Sequence, residues 1–132
     1  FLCYVRRLLR FRRIVSAAEY GGYKRQSLVD AVRMSTGKLC RFEHNEMAHL
    51  AARLAPLRGQ RKLIVVDGVY SMDGDLAKLP RIIELAQEHD ASIMVDDAHG
   101  IGCLGVTVAG VVQDFGLDHK QGPVLMGTLG KA

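Results

Sequence analysis

Three short apolar runs, separated by helix-like stretches, constrain the fold of this chain more than any other feature of its sequence. The runs are Leu63–Val66, Ser92–Val95 and Val124–Met126. Strands of a parallel sheet show such continuous apolar runs because helices cover both faces of the sheet. Each run is far shorter than the ~20 apolar residues that a membrane span needs. The pattern predicts an α/β fold, a parallel sheet with helices on both faces, and no membrane association.

Amphipathic stretches between the apolar runs predict the helices. The predicted helices are Leu28–Met34, Asn45–Leu54 and a helix from Pro80 to about His89. One further strand is predicted over Lys38–Phe42. Asn45 is a residue type that caps helix N-termini, and Pro80 stands where a first-turn proline belongs. The pattern predicts no helix or strand within residues 1–26.

Composition narrows the class of protein further. Of the 132 residues 48% are hydrophobic and 24% are charged, which is typical of a globular domain and excludes a disordered chain or a fibre. The cysteines, Cys3, Cys40 and Cys103, are odd in number, scattered and without a CxxC motif. We therefore expect neither a disulfide scaffold nor a metal site, and a reducing, cytoplasmic location.

The charge is divided unevenly along the chain. Residues 1–62 hold fourteen Lys and Arg against four Asp and Glu, whereas residues 63–132 hold four against ten. A basic half can mark a nucleic-acid or anionic-lipid surface, so one alternative is a basic binding module in which residues 1–26 form a docking helix. The arginines lack the interleaved aromatic side chains that single-strand binders use, so no nucleic acid is the expected partner.

Polar residues follow each of the three apolar runs. They are Asp67 and Ser71 after the first run, Asp96 and His99 after the second, and Thr128 and Lys131 after the third. Taken singly these are solvated loops, but ligands of parallel sheets bind beyond the carboxyl ends of the strands. A carboxylate, an imidazole and a lysine suit a heteroaromatic cofactor, because the acid keeps a ring nitrogen protonated and the lysine forms a Schiff base. These are the parts of a pyridoxal 5'-phosphate site.

Three motifs together resemble one enzyme family. Asp67–Asp75, Val95–Gly102 and Gly127–Ala132 closely resemble motifs of the α-oxoamine synthases, in that family's order and spacing. These are pyridoxal-phosphate enzymes with the aspartate-aminotransferase fold. The resemblance implies that residues 27–132 are part of the cofactor-binding large domain, truncated just after Lys131.

The resemblance also implies a role for each site residue. Lys131 would be the Schiff-base lysine and the base that removes the α-proton of the amino acid. Asp96 would hold the pyridine nitrogen protonated, and His99 would bond the phenolic oxygen. Ser71 and Thr128 would contact the cofactor.

Each role has an alternative within the fold. Asp96 could cap the loop that follows it, His99 could be a core histidine, and Ser71 could close a turn. Asp97 is interpreted as a structural loop residue.

Within the family, Ser71–Asp75 and Asp96–Gly100 look most like the biotin-pathway branch. That branch is a C-acyltransferase that condenses a pimeloyl thioester with L-alanine and releases CO2. The resemblance implies these small-molecule substrates, a cytoplasmic homodimer, and glycine C-acetyltransferase as the alternative activity.

Two departures from the family pattern stand near the start of the chain. Arg25 occupies the place of a histidine that stacks on the cofactor ring, and the glycine-bearing phosphate turn is not recognisable. Residues 1–26 match nothing in the family. Divergence, a decayed gene or a reading-frame error would each explain this, and we interpret the abrupt end of the match as a frame error. Since much of the site is missing, we expect these 132 residues alone to be inactive.

Overall fold

The computed structural model describes residues 12–18, 37–117 and 123–127. In chain order the elements are β1 (Arg13–Ala18), β2 (Lys38–Glu43), α1 (Met47–Leu54), β3 (Lys62–Asp67), α2 (Leu79–Glu88), β4 (Ala91–Asp96), α3 (Val111–Asp114) and β5 (Val124–Met126). The four predicted strands are confirmed, each to within a residue at either end. The predicted helix over 28–34 lies outside the described residues.

The strands form one sheet in the order β2-β1-β3-β4-β5, and every neighbouring pair is parallel. Parallel neighbours need crossover connections, and α2 lies in the connection between β3 and β4. The predicted α/β class with a parallel sheet is thereby confirmed.

The core centres on β3, which has β1 on one side and β4 on the other. Leu63–Val66 are all buried, as are Ile93–Val95 of β4. Leu50 and Leu54 of α1 and Ile82 and Leu85 of α2 are buried in the same core. Each such side chain contributes about 1.5–3 kcal/mol relative to an exposed one. Continuous burial along β3 is what its unbroken apolar run predicted.

Helix α2 follows the sequence prediction closely. It spans Leu79–Glu88, with Pro80 in its first turn, where the missing N–H of proline costs nothing. Ile82, Leu85 and Ala86 form its buried face. Within the described part of the chain, no helix is long and apolar enough to cross a bilayer.

The prediction that Asn45 caps α1 is wrong. Asn45 has a left-handed backbone (φ 50), and Glu46 occupies the N-cap position without a side-chain cap bond. The Asn45 side chain bonds instead to the loop that follows β3, some thirty residues later. Tertiary partners, rather than the helix end, determine its conformation.

The alternative interpretation, in which residues 1–26 form a docking helix, is wrong for the part of this segment that forms strand β1. Arg13–Ala18 is an inner strand that pairs with β2 and β3, and Ile14 and Val15 are fully buried. Because a side chain inside a sheet cannot also lie on a docking surface, this part of residues 1–26 belongs to the core.

Candidate cofactor site

The carboxyl ends of β3, β4 and β5 lie side by side. Asp67 is opposite Asp96, and Asp96 is opposite Met126. Two backbone hydrogen bonds extend the pairing past the strand ends, from Gly68 N to Asp96 O (2.8 Å) and from Asp97 N to Met126 O (2.7 Å). The chain segments that carry the predicted site residues therefore leave the sheet at one edge, as parallel strands require.

Asp96 is half-buried at this edge. Its Oδ1 accepts a hydrogen bond of 3.1 Å from the backbone N–H of Ala98. This bond gives Asp96 the loop-capping role that the sequence left open. It also fixes the orientation of the carboxylate, so capping and ligand binding are compatible.

His99 is half-buried in the turn that begins immediately after Asp96. The same turn lies against the residue that follows β5. Ile101 Cδ1 is so close to Gly127 that a Cβ on this glycine would overlap it. Thr128 and Lys131, which follow Gly127, lie outside the described residues.

Ser71 lies at the exposed tip of the loop after β3. This loop is closed by an antiparallel bridge between Val69 and Leu76, and by a hydrogen bond of 2.9 Å from Tyr70 N to Asp75 O. Ser71 thus belongs to a turn, as its alternative interpretation stated, and the turn stands at the carboxyl end of β3.

Asp97 is a fully buried carboxylate. Its Oδ2 accepts a hydrogen bond of 2.7 Å from the N–H of Val111. A Cβ at Gly68, Gly100 or Gly110 would overlap this carboxylate, so glycines surround it. Burial raises the pKa of Asp97, the Val111 N–H opposes the rise, and the charge of Asp96 adds to it. Asp97 holds the loop together, in agreement with its interpretation as a structural residue.

Sequence reasoning missed a polar group in the turn after β2. His44 Nε2 lies 2.9 and 3.0 Å from the two carboxylate oxygens of Asp75, and Asn45 Nδ2 donates to Oδ2 of the same carboxylate at 2.6 Å. Burial alone would raise the pKa of Asp75, but hydrogen bonds from His44 and Asn45 and the charge of His44 hold it below its usual value. The position of His44 directly after a strand was the available signal.

The donor set at this edge fits pyridoxal phosphate. An oriented carboxylate follows β4, a histidine comes three residues later, and a glycine-tight contact brings the end of β5 beside them. An acid can partner the pyridinium nitrogen of such a cofactor, and an imidazole can hydrogen-bond a ring substituent.

Comparison with known proteins finds similar sequences among the aminotransferases and related enzymes. The family model "Aminotransferase class I and II" matches residues 20–132. Two curated relatives, from Cellvibrio japonicus and Alkalilimnicola ehrlichii, are named 8-amino-7-oxononanoate synthase and are 53% and 51% identical over 106 residues. That length is 80% of this chain and 27% of each relative.

Solved structures agree with the sequence relatives. A structure described as SPT with PLP internal aldimine is 32% identical, with a TM-score of 0.82 over 97% of this chain and 31% of that one. Serine palmitoyltransferase from Sphingomonas wittichii gives 32% identity and a TM-score of 0.78 over 90% and 29% of the two chains. These matches confirm the predicted resemblance to the α-oxoamine synthases. The chain belongs to the aminotransferase class I and II family and spans about a quarter of the length of its curated relatives.

Proposed function

We propose that the protein carrying this chain is an 8-amino-7-oxononanoate synthase. Such an enzyme uses pyridoxal phosphate to join the acyl group of a pimeloyl thioester to L-alanine, with loss of CO2. The observation that carries the proposal is the register that sets Asp96 between Asp67 and Met126 at one sheet edge. The name of the relatives at 51–53% identity supports this choice of reaction.

Asp96 and His99 would hold the cofactor ring. Bound pyridoxal phosphate supplies a protonated ring that accepts the electron pair released at the substrate α-carbon. The Asp96 carboxylate, oriented by the Ala98 N–H, would keep the proton on the ring nitrogen. His99 would hydrogen-bond the phenolic oxygen.

Lys131, Ser71 and Thr128 complete the proposed site. Lys131 would bind the cofactor covalently through Nζ, and the same amine would later accept the α-proton of alanine. Ser71 and Thr128 would hydrogen-bond the cofactor from the loops after β3 and β5.

The proposal extends to the whole protein. Residues 27–132 would form part of the cofactor-binding large domain, and the protein would be a homodimer in the cytoplasm. Since the matched part of the chain covers 27% of the relatives' length, the remaining parts of the site would come from outside it. The 132 residues alone would therefore be inactive.

The test is a substrate comparison on the purified full-length protein with pyridoxal phosphate. Product formation is measured by mass spectrometry for pimeloyl thioester with L-alanine, acetyl thioester with glycine, and palmitoyl thioester with L-serine. The expected result is 8-amino-7-oxononanoate from the first pair at the highest kcat/KM. Preference for the second pair would establish glycine C-acetyltransferase instead, and no product from any pair would refute the proposal.

A further inference from the structure

The loop after β3 is a short hairpin whose two sides support Ser71. Besides the Val69–Leu76 bridge and the bond from Tyr70 N to Asp75 O, Gly74 N donates to Tyr70 O at 2.7 Å and Ala77 N donates to Gly68 O at 3.0 Å. Ser71 follows Tyr70 directly, at the tip. Its position is therefore determined by Tyr70 and Asp75, the pair at the base of the turn.

Both of these base residues contact His44. The His44 ring meets the Tyr70 ring edge-on, with centroids 4.3 Å apart and an interplanar angle of 69°. Nε2 of His44 contacts both carboxylate oxygens of Asp75. One side chain thus touches the residue before Ser71 and the residue that closes the turn.

Asn45 strengthens the same connection. Its Nδ2 donates to Asp75 Oδ2 and to Leu76 O, at 2.6 and 3.0 Å, and Lys78 Nζ donates to Asn45 O at 3.1 Å. The left-handed backbone of Asn45 (φ 50) belongs to a residue type that tolerates this conformation. The side chains of His44 and Asp75 are 28% and 43% exposed, so their bond is partly shielded from water.

The connection crosses a strand. His44 follows β2 and Asp75 lies in the loop after β3, but β1 separates these two strands in the sheet. Neighbouring strands are about 4.8 Å apart, so the contact joins chain segments whose strands lie about 10 Å apart. The contact therefore joins loops that follow the two strands flanking β1, and β4, which carries Asp96, lies on the opposite side of β3.

We propose that His44 and Asp75 are positioning residues that hold Ser71 where it contacts the cofactor. This inference rests on the proposed function, because Ser71 is assigned to the cofactor only there. His44 and Asp75 themselves need not touch the cofactor. Their effect is to restrict the hairpin, so that Ser71 does not have to be ordered when the cofactor binds.

The experiment compares variants of the full-length protein. His44→Ala removes the hydrogen bond, whereas His44→Gln keeps an N–H donor that can reach Asp75. His49→Ala is the matched control: the His49 side chain is 29% exposed, lies 3.8 Å from the acid of Glu43, and accepts hydrogen bonds from Glu43 N and Arg53 Nε, which lie outside the hairpin. The dissociation constant of pyridoxal phosphate is measured by absorbance titration of the apoprotein, and backbone amide exchange is measured for Tyr70 and Gly74.

For His44→Ala we expect a rise of up to about tenfold in the dissociation constant, because the loss of one hydrogen bond to a charged group can change an equilibrium by about that factor and cofactor binding reports only the part that orders Ser71. Amide exchange in the hairpin should accelerate by a similar factor in the apoprotein. His44→Gln should restore both values toward those of the unmodified protein, and His49→Ala should leave both unchanged. In the double variant His44→Ala with Asp75→Asn, the losses should be less than additive, because both substitutions weaken the His44–Asp75 contact, while Asp75→Asn also weakens the bond from Asn45 Nδ2.

Two results would overturn the inference. One is an unchanged dissociation constant in His44→Ala, whether or not exchange accelerates. The other is a rise that His49→Ala reproduces, which indicates general destabilisation. If the unmodified protein binds no pyridoxal phosphate, the proposed function itself fails, and the exchange data then report separately on whether His44 orders the hairpin.

Discussion

The backbone N–H of Val111 donates a hydrogen bond of 2.7 Å to Oδ2 of Asp97, a carboxylate that has no exposed surface. The bond joins the start of α3 to the residue directly after β4. The intervening loop carries His99, so the bond closes the chain segment that places His99 at the sheet edge. Asp96, its neighbour in sequence, points its carboxylate to Ala98 instead.

The buried carboxyl of Asp97 predicts a pH effect on stability. Burial raises its pKa above the usual value of 3.8. A folded-state pKa above the unfolded one means that the stabilising contribution is present below the unfolded pKa and is lost as pH rises through the folded pKa. In urea unfolding of the full-length protein, the free-energy difference between the unmodified protein and Asp97→Asn should therefore fall as pH rises from about 4. A difference that stays constant or increases over this range contradicts the assignment.

Gly110→Ala should destabilise the full-length protein by at least about 2 kcal/mol. The backbone there has φ 100 and ψ −171, a region nearly restricted to glycine, and the added Cβ would overlap Oδ2 of Asp97. Gly116→Ala is the control, because φ is +64 and no atom lies within 4 Å of the added Cβ. It should cost only about 1 kcal/mol of left-handed strain. Equal losses in thermal unfolding would show that the Asp97 contact is unimportant.

Asp96→Asn should separate the two roles of this residue. The asparagine oxygen can still accept the N–H of Ala98, so the thermal midpoint should change little. In the proposed site the Asp96 charge pairs with the ring nitrogen, and loss of such a partner costs about 3–5 kcal/mol, so we expect kcat to fall at least about 10²-fold. Steady-state kinetics and calorimetry measure the two effects. Near-normal turnover with cofactor bound would mean that another acid serves the ring.

Lys131→Ala in the full-length protein should abolish covalent attachment of the cofactor. Lysine Nζ is the group that reacts with the cofactor aldehyde, and alanine has no amine. The yellow absorbance should disappear, and borohydride should no longer trap the cofactor on the peptide that contains position 131. Lys120→Ala provides a control for the loss of a lysine nearby in sequence. Trapping that persists in Lys131→Ala, at any other lysine, would refute the assignment.

Local sequence was sufficient for the elements whose signals are local. Leu63–Val66 reads as a buried strand because every residue is apolar, and Pro80 marks the start of α2 because proline suits a first turn. Strand β1 escaped prediction because its apolar stretch is short, starts on Arg13 and includes Ser16 and small alanines. Its burial follows from its neighbours β2 and β3.

Tertiary partners explain the remaining differences in the site. Asparagine is a residue type that often caps helices, but the hydrogen-bond partner of Asn45 is Asp75, which lies 30 residues away and cannot be deduced from spacing. His44 directly follows β2, which was a local signal, but its partner Asp75 could not be deduced from spacing either. By contrast, Asp96 and His99 were predictable as candidates, because the carboxyl end of a buried strand is itself a local signal.

The glycines around Asp97 have a consequence for how this loop can change during evolution. Gly68, Gly100 and Gly110 are small because a carboxylate occupies the volume that their side chains would fill. An alanine at Gly100 becomes sterically acceptable only once position 97 has itself become smaller. Substitution at Gly100 should therefore be epistatic with position 97: alanine there is deleterious alone and is tolerated only where a smaller residue has replaced Asp97. Gly110, with φ 100, stays restricted to glycine on either background.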